Sequence, residues 1–423
     1  MRRIALISEH ASPLASAGNV DSGGQNIYVA QIARHLGRLG YAVDIFTRKD
    51  KALLPAEVEM APNVTVIHVP AGPAVQIAKE RLLPYMAEFG EFVASVVGAR
   101  PGEYLALHAN FFMSGQAALQ VRQRHAIPLV TTFHALGKIR RMYQGDADGF
   151  PDERFAIEER LVRESDCVIA ECAQDRHDLL SLYDAAAERI ETIPCGFDLA
   201  EFSPLPRQAA RRALGWPPHD FVLLQLGRLV PRKGIDNVVR ALARMRQRDG
   251  LPARLYIVGG NSVRPSTTAT PEIGRLRDIA ASEGVANHVT FVGRRERAAL
   301  RQYYCAADVF VTTPWYEPFG ITPVEAMACA VPVIGSAVGG IRSTVVDGRT
   351  GFLVPPNDPD ALAERALRLA SQPSLAEKMG MAGWRRAQSH FTWADVACRL
   401  AAVYERLSGA AGRPPVLPKR AVA

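Results

Sequence analysis

The chain has 423 residues, 48% of them hydrophobic and 22% charged, which is enough for two cores of ordinary size and too much for one. Its formal charge of +7 is spread over scattered Lys and Arg without a long basic run, a pattern that argues against nucleic-acid binding and suits an enzyme with anionic substrates. The six cysteines form no C-x-x-C pair or zinc-ligand spacing, no apolar stretch approaches the roughly 20 residues of a membrane-spanning helix, and the N-terminal apolar run is too short for a signal peptide, so a cytoplasmic protein is expected.

Residues 4–8 (I-A-L-I-S) read as a strand buried in a parallel sheet, followed by a polar loop of small residues over 18–24. Ile32, Ala33, Leu36 and Leu39 then recur at helical spacing, and Gly40 stops that helix before a strand at 42–47. The loop therefore stands at the carboxyl end of the first strand, where open α/β sheets bind ligands. Its run Ser22-Gly23-Gly24-Gln25-Asn26 lacks the spacing of a dinucleotide fold and the G-K-[ST] of a P-loop, which argues against a dehydrogenase or a P-loop NTPase. Gly23 and Gly24 read either as a tight turn or as backbone N–H groups facing a phosphate, with Asn26 beside them. Strands continue at 64–69, 104–108, 129–133 and 168–170, making residues 1–200 a doubly wound α/β domain. His10 and His134 fall just past strand ends; each is either a structural histidine or a group at the ligand edge.

Pro204, Pro206, Pro217 and Pro218 mark a linker, after which the pattern restarts. A strand at 221–226, a loop at 227–234, a helix at 235–245 and strands at 254–258, 289–292, 309–312 and 333–334 make 201–392 a second α/β domain. Arg228 and Lys233 flank its first loop, where a diphosphate would be held by a guanidinium fork and a point charge; the plain alternative is a solvated basic loop. Asp358-Pro359-Asp360 opens a helix, residues 393–407 are amphipathic, and the tail 408–423 is expected to be disordered.

The most informative stretch is 317–325, E-P-F-G-I-T-P-V-E. Thr322, Pro323 and Glu325 predict an N-cap, a first helical residue and a capping box, and Gly320 lets an anion approach the free N–H groups of that helix start. Glu325 reads either as the cap or as a ligand group, and the separation of Glu317 from Glu325 does not by itself define an acid and base pair.

Taken together, E-P-F-G-I-T-P-V-E-A-M-A-C-A-V-P-V-I, Gly339-Gly340, G-R-L-V-P-R-K-G and Y-I-V-G-G resemble the retaining GT-B glycosyltransferases of the glycosyltransferase 4 family. In the N-terminal half, I-S-E-H-A-S-P, G-G-Q-N-I-Y-V-A, D-I-F-T-R and T-F-H-A-L-G-K are similar to the sucrose synthase, sucrose-phosphate synthase and inositol-phosphate glycosyltransferase branch. The resemblance implies two Rossmann-like doubly wound domains facing a cleft, an acceptor-binding one and a donor-binding one, with the helix at 393–407 crossing back onto the first. It places Gly23, Gly24, Gly259 and the backbone of Phe319, Gly320 and Ile321 around the donor, with Arg228 and Lys233 on its diphosphate, Glu325 on the ribose and Glu317 on the sugar hydroxyls. His134 would stand beside the reacting face of the sugar, and His10, Asn26, Lys79 and Arg154 would line the acceptor side.

Two departures bear on the acceptor: Ala135 and Phe111 stand where the inositol-phosphate enzymes usually have a hydroxyl residue and a tyrosine, which favours a sucrose-type acceptor. The implied reaction is retaining hexosyl transfer from a UDP-, ADP- or GDP-sugar co-substrate to a small-molecule hydroxyl, without a tightly bound cofactor and with no lysine recognisable as a pyridoxal site. The alternatives are an inositol-phosphate or other small-molecule, lipid or polysaccharide glycosyltransferase, and a non-catalytic sugar-nucleotide binder or nucleotide-sugar epimerase; release of nucleotide diphosphate separates a transferase from a binder. No D-x-D motif stands where the donor diphosphate would sit, since Asp146 and Asp148 fall in an acceptor-side loop; no metal ligand is assigned, and a magnesium requirement and the oligomeric state stay open.

Overall fold

The computed structural model describes residues 1–15, 23–249 and 251–409; most of the expected glycine-rich loop and the tail from 410 lie outside them. The chain forms two compact units, one built from Met1–Ala15, Gly24–Pro194 and the chain from Trp393, the other from Cys195–Thr392 together with Gly23.

The first unit is organised on eight strands among the described residues: β1 (Arg3–Ile7), β2 (Ala42–Arg48), β3 (Glu57–Ala61), β4 (Val64–Val69), β5 (Tyr104–Asn110), β6 (Leu129–Thr132), β7 (Cys167–Ala170) and β8 (Ile190–Thr192). They lie in the order β3-β4-β2-β1-β5-β6-β7-β8, and only β3 runs antiparallel to its neighbour. β1 sits at the centre with Leu6 opposite Ile45 on one side and His108 on the other. Its apolar run is continuous because helices cover both faces of a parallel sheet. The helix Gly24–Arg38 buries Tyr28, Val29, Ile32, Ala33 and Leu36, and the helix Trp393–Leu407 packs along it. There the Trp393 ring meets Tyr28 edge-on at 5.7 Å, and the Tyr404 hydroxyl bonds His108 Nδ1 at 2.6 Å.

The second unit holds β9 (Phe221–Leu226), β10 (Ala253–Val258), β11 (Val289–Gly293), β12 (Val309–Thr312), β13 (Val333–Ser336) and β14 (Gly351–Val354), all parallel, in the order β11-β10-β9-β12-β13-β14. Leu223, Leu255, Ile257, Val309, Val311 and Ile334 form its core with Val238, Val239 and Leu242 of the helix Ile235–Asp249. Burying each such side chain contributes about 1.5–3 kcal/mol.

In each sheet the strand order reverses once near the middle, between β1 and β5 and between β9 and β12. Chains leave the carboxyl ends of such a pair in opposite directions, opening a crevice there.

Three local expectations are corrected. The strand expected at 104–108 continues to Asn110, which brings that amide to the sheet edge. The proline-rich stretch expected as linker contains a helix, Arg207–Leu214, closed by Gly215 at φ 67° and packed on the helix Arg297–Ala306. The helix expected to begin at Pro323 begins at Ile321, because Gly320 adopts φ 88° and turns the chain two residues earlier.

Candidate functional site

At the β9/β12 crevice the chain passes from Leu226 through Gly227 (φ 143°) and Arg228 into the single turn Pro231–Lys233. Gly259, which follows β10, packs so closely on this loop that a Cβ there would lie 1.9 Å from the Gly227 carbonyl oxygen. Glu317 follows β12, and its carboxylate pairs with Lys233 Nζ. Burial works against this carboxylate, and Lys233, Arg232 and Arg228 outweigh it, holding Glu317 below the usual carboxylate range. Lys233 is lowered, by burial first, then by Arg232 and Arg228, against the pull of Glu317. The loop 317–320 is clamped from below: Gly340 N–H donates to the Glu317 carbonyl at 3.0 Å, and a Cβ on Gly340 would meet the Phe319 backbone at 2.3 Å. Glycine at 339 and 340 is thus required for this loop to lie where it does.

The Thr322 capping box does not form. Gly320 occupies the N-cap and no side chain caps the helix, so the first N–H groups of Ile321–Ala328 have no side-chain acceptor. Glu325 instead points inward, 2% exposed, with Oε1 accepting from Arg297 Nη1 at 2.8 Å and Oε2 from the Tyr304 hydroxyl at 2.8 Å. Arg297 also holds Glu201 at 2.6 Å. This buried chain of charge is satisfied on the carboxylate side, and each Glu325 oxygen keeps a further lone pair.

In the first unit, the residues after β1, β5 and β6 converge. His134 Nδ1 lies 3.0 Å from Glu171 Oε1 and its Nε2 lies 3.0 Å from Asn110 Oδ1. The Asn110 amide nitrogen is directed to the carbonyls of Ile7 and His108, which fixes its oxygen toward the imidazole. His134 has φ 58° and Phe111 φ 91°, left-handed conformations that cost of order 1–3 kcal/mol each in non-glycine residues. Asp175, whose carboxylate accepts from the Glu171 N–H at 2.9 Å, is pushed up to about 8 by burial and by the Glu171 charge. His10 Nδ1 bonds Glu9 at 2.6 Å, and its ring stands edge-on to Phe111 at 5.1 Å.

Asn26 is buried and donates to the Ser12 carbonyl at 2.9 Å, while Gly23 precedes its helix with open space where a Cβ would stand. Lys79 opens a short turn, Lys79–Arg81, half-buried. Arg154 is 1% exposed: Nε donates to Glu158 at 2.7 Å, Nη2 to the Ala135 carbonyl, and the guanidinium lies within 4.9 Å of the Phe111, Phe112 and Phe150 ring centres. The sequence gives no sign of Asn110, Glu171, Arg297 or Tyr304 as partners of the candidate residues, because these pairings join positions 21 to 37 residues apart through the fold.

Two Rossmann-like α/β units, each with charged groups at a reversal of strand order, have the crevices where open α/β sheets bind ligands. Residues 22–201 match the family described as Glycosyltransferase Family 4 and residues 206–386 the one described as Glycosyl transferases group 1; the chain belongs to these GT-B glycosyltransferases. It is 38% identical to a D-inositol 3-phosphate glycosyltransferase of Kribbella flavida, over 96% of this chain and 95% of that one. Another relative of that activity, D-inositol 3-phosphate glycosyltransferase 2 of Catenulispora acidiphila, is 36% identical over 96% of this chain and 95% of that one. Among solved structures, sucrose-phosphate synthase of Thermosynechococcus elongatus matches with a TM-score of 0.88 at 35% identity, covering 97% of this chain and all (100%) of that one. HepE of Anabaena, solved in complex with UDP-glucose, shares the fold with a TM-score of 0.76 at 20% identity, covering 96% of this chain and 100% of that one.

Proposed function

We propose that the protein transfers a hexosyl group from a nucleotide diphosphate sugar to the hydroxyl of a sugar or sugar-phosphate acceptor, with retention at the anomeric carbon. The carrying observation is the Arg228, Lys233 and Glu317 cluster at the β9/β12 crevice, cations and a carboxylate brought together from both sides of the strand reversal. In this reading Lys233 leaves Glu317 for the diphosphate and Arg228 joins it, freeing the Glu317 carboxylate for the sugar hydroxyls. The N–H groups of Phe319, Gly320 and Ile321, at a helix start without a side-chain cap, face the donor. Glu325, held by Arg297 and Tyr304, offers its remaining lone pairs to the ribose hydroxyls. Gly23 and Gly24 lie against the diphosphate and Gly259 shapes the loop beneath it.

The bond from the anomeric carbon to the diphosphate oxygen breaks as the acceptor oxygen adds on the same face, and the leaving diphosphate oxygen takes the acceptor proton. No protein nucleophile is needed; the protein supplies positioning and charge on the leaving group. His134, braced by Glu171 and Asn110, stands at the sugar, and His10, Asn26, Lys79 and Arg154 form the acceptor side. Arg154→Ala would then act through loss of a buried brace, since Glu158 already neutralises its charge.

The sucrose-type acceptor is favoured because Phe111 and Ala135 present no hydroxyl beside Arg154. Transfer to an inositol phosphate is the second reading, favoured by the names of the relatives at 36% and 38% identity. Purified protein is to be incubated with UDP-, ADP- and GDP-glucose against fructose, fructose 6-phosphate, inositol and inositol phosphate, with product mass and anomeric configuration read by NMR. A retained glucoside of fructose or its phosphate is expected. Product only from inositol phosphate selects the second reading, an inverted product rejects retention, and absence of any transfer rejects both.

A further inference from the structure

Arg232 belongs to none of the assignments above, yet it lies between them. The turn Pro231–Lys233 sets it beside Lys233, and its carbonyl accepts the Trp315 N–H at 2.9 Å, which ties the turn to the loop after β12. Its guanidinium lies over the Tyr316 ring, 5.3 Å from the centre, one residue from Glu317. Lys233 has Glu317 as its carboxylate partner, and Arg297 has Glu201 and Glu325. Arg232 has no carboxylate within ion-pair distance among the described residues. Its Nη1 is moreover buried without a hydrogen-bond partner. A buried, charged donor left unmet is costly, and a water, an ion or a ligand can complete it.

The charge balance points the same way. Lys233 and Glu317 cancel each other, so Arg232 adds positive charge beside this pair. Among the cations that hold down Glu317, Arg232 ranks after Lys233 and ahead of Arg228.

We propose that Arg232 is a third cationic contact to the diphosphate of the nucleotide sugar, its buried Nη1 N–H donating to a phosphate oxygen while the Tyr316 ring fixes the plane of the guanidinium. The proposal rests on the reading of the β9/β12 crevice as the donor site. A planar fork stacked on an aromatic ring is directed, so lysine at this position would keep the charge and lose the geometry. As negative charge gathers on the leaving diphosphate, a preset donor here lowers the barrier as well as the dissociation constant.

Calorimetric titration of Arg232→Met and Arg232→Lys with a nucleoside diphosphate and with the matching nucleoside tests this. UDP, ADP and GDP are first screened on the wild-type chain to choose the base. Arg232→Met is expected to weaken diphosphate binding roughly tenfold and leave nucleoside binding unchanged, with Arg232→Lys in between. Equal loss for nucleoside and diphosphate would assign Arg232 to bracing the loop through Tyr316 and overturn the proposal, as would diphosphate binding unchanged in both variants. If Arg232→Met does not fold, Arg232→Lys decides by the same comparison. A wild-type chain that binds none of the three diphosphates overturns the donor-site reading and this proposal with it, whereas wild-type binding with unaltered variants overturns the proposal alone.

Discussion

His108 is 0% exposed, bonded through Nδ1 to the Tyr404 hydroxyl and through Nε2 to the Thr132 hydroxyl at 2.8 Å. Burial, with a smaller contribution from His134, pushes it down to about 3. Its unfolded value is near 6.5, so between these limits the unfolded chain binds the extra proton and the folded one does not. Stability is therefore full above about pH 6.5 and is lost as pH falls toward 3. Urea midpoints of the wild type are expected to drop between pH 6.5 and 4. His108→Gln, less stable at pH 7.5, is expected to show a shallower drop; parallel slopes for the two proteins would remove His108 as the cause. At this scale the positions of residues were legible where they follow strand ends: His10, His134, Arg228, Lys233 and Glu317 all stand just past strands or in the loops beside them. Their partners were not legible, because Lys233 and Glu317 are 84 positions apart and meet only through strand order. The setting of Arg232 is no more legible, because its stacking on Tyr316 joins positions 84 residues apart through the fold.

Helix termini show how local sequence rules yield to backbone geometry. Thr322-Pro323-Val324-Glu325 has the composition of a helix start, but the left-handed Gly320 begins the helix earlier and sends Glu325 inward to Arg297. Asp358 is the contrasting case, with its Oδ1 accepting from Ala361 N–H at 2.9 Å ahead of Pro359–Ser371. Asp358→Ala is thus expected to cost about 1 kcal/mol, while Thr322→Ala stays within about 0.5 kcal/mol, as measured by urea unfolding. A loss of similar size at Thr322 would restore the capping box. Among strands, β9 and β12 were legible to the residue because buried parallel strands are unbroken apolar runs. β3, E-V-E-M-A, and β8, three residues long, carry no such run; an edge strand needs only one paired side and tolerates charge.

At the scale of the whole molecule, the first unit is discontinuous in sequence. Trp393, Ala397, Leu400, Ala401 and Tyr404 are all fully buried, and Glu405 receives the Tyr41 hydroxyl at 2.8 Å and Arg2. Ending the chain after Thr392 is expected to expose the Tyr28 and His108 faces and abolish cooperative unfolding of the first unit, while the second keeps its core. Hydrogen exchange resolved by segment measures this: protection should vanish over β1, β2 and β5 and persist over β9, β10 and β12. Uniform protection in the shortened chain would show that the closing helix is dispensable.

That helix also sets an order of events during synthesis. Domains generally fold as units in the order in which they emerge from the ribosome. Here the second unit has all its described strands, β9 to β14, before the closing helix of the first has been made. The half that begins the chain therefore finishes last, and its incomplete face, with Tyr28 and His108 uncovered, must outlast translation of the whole second half.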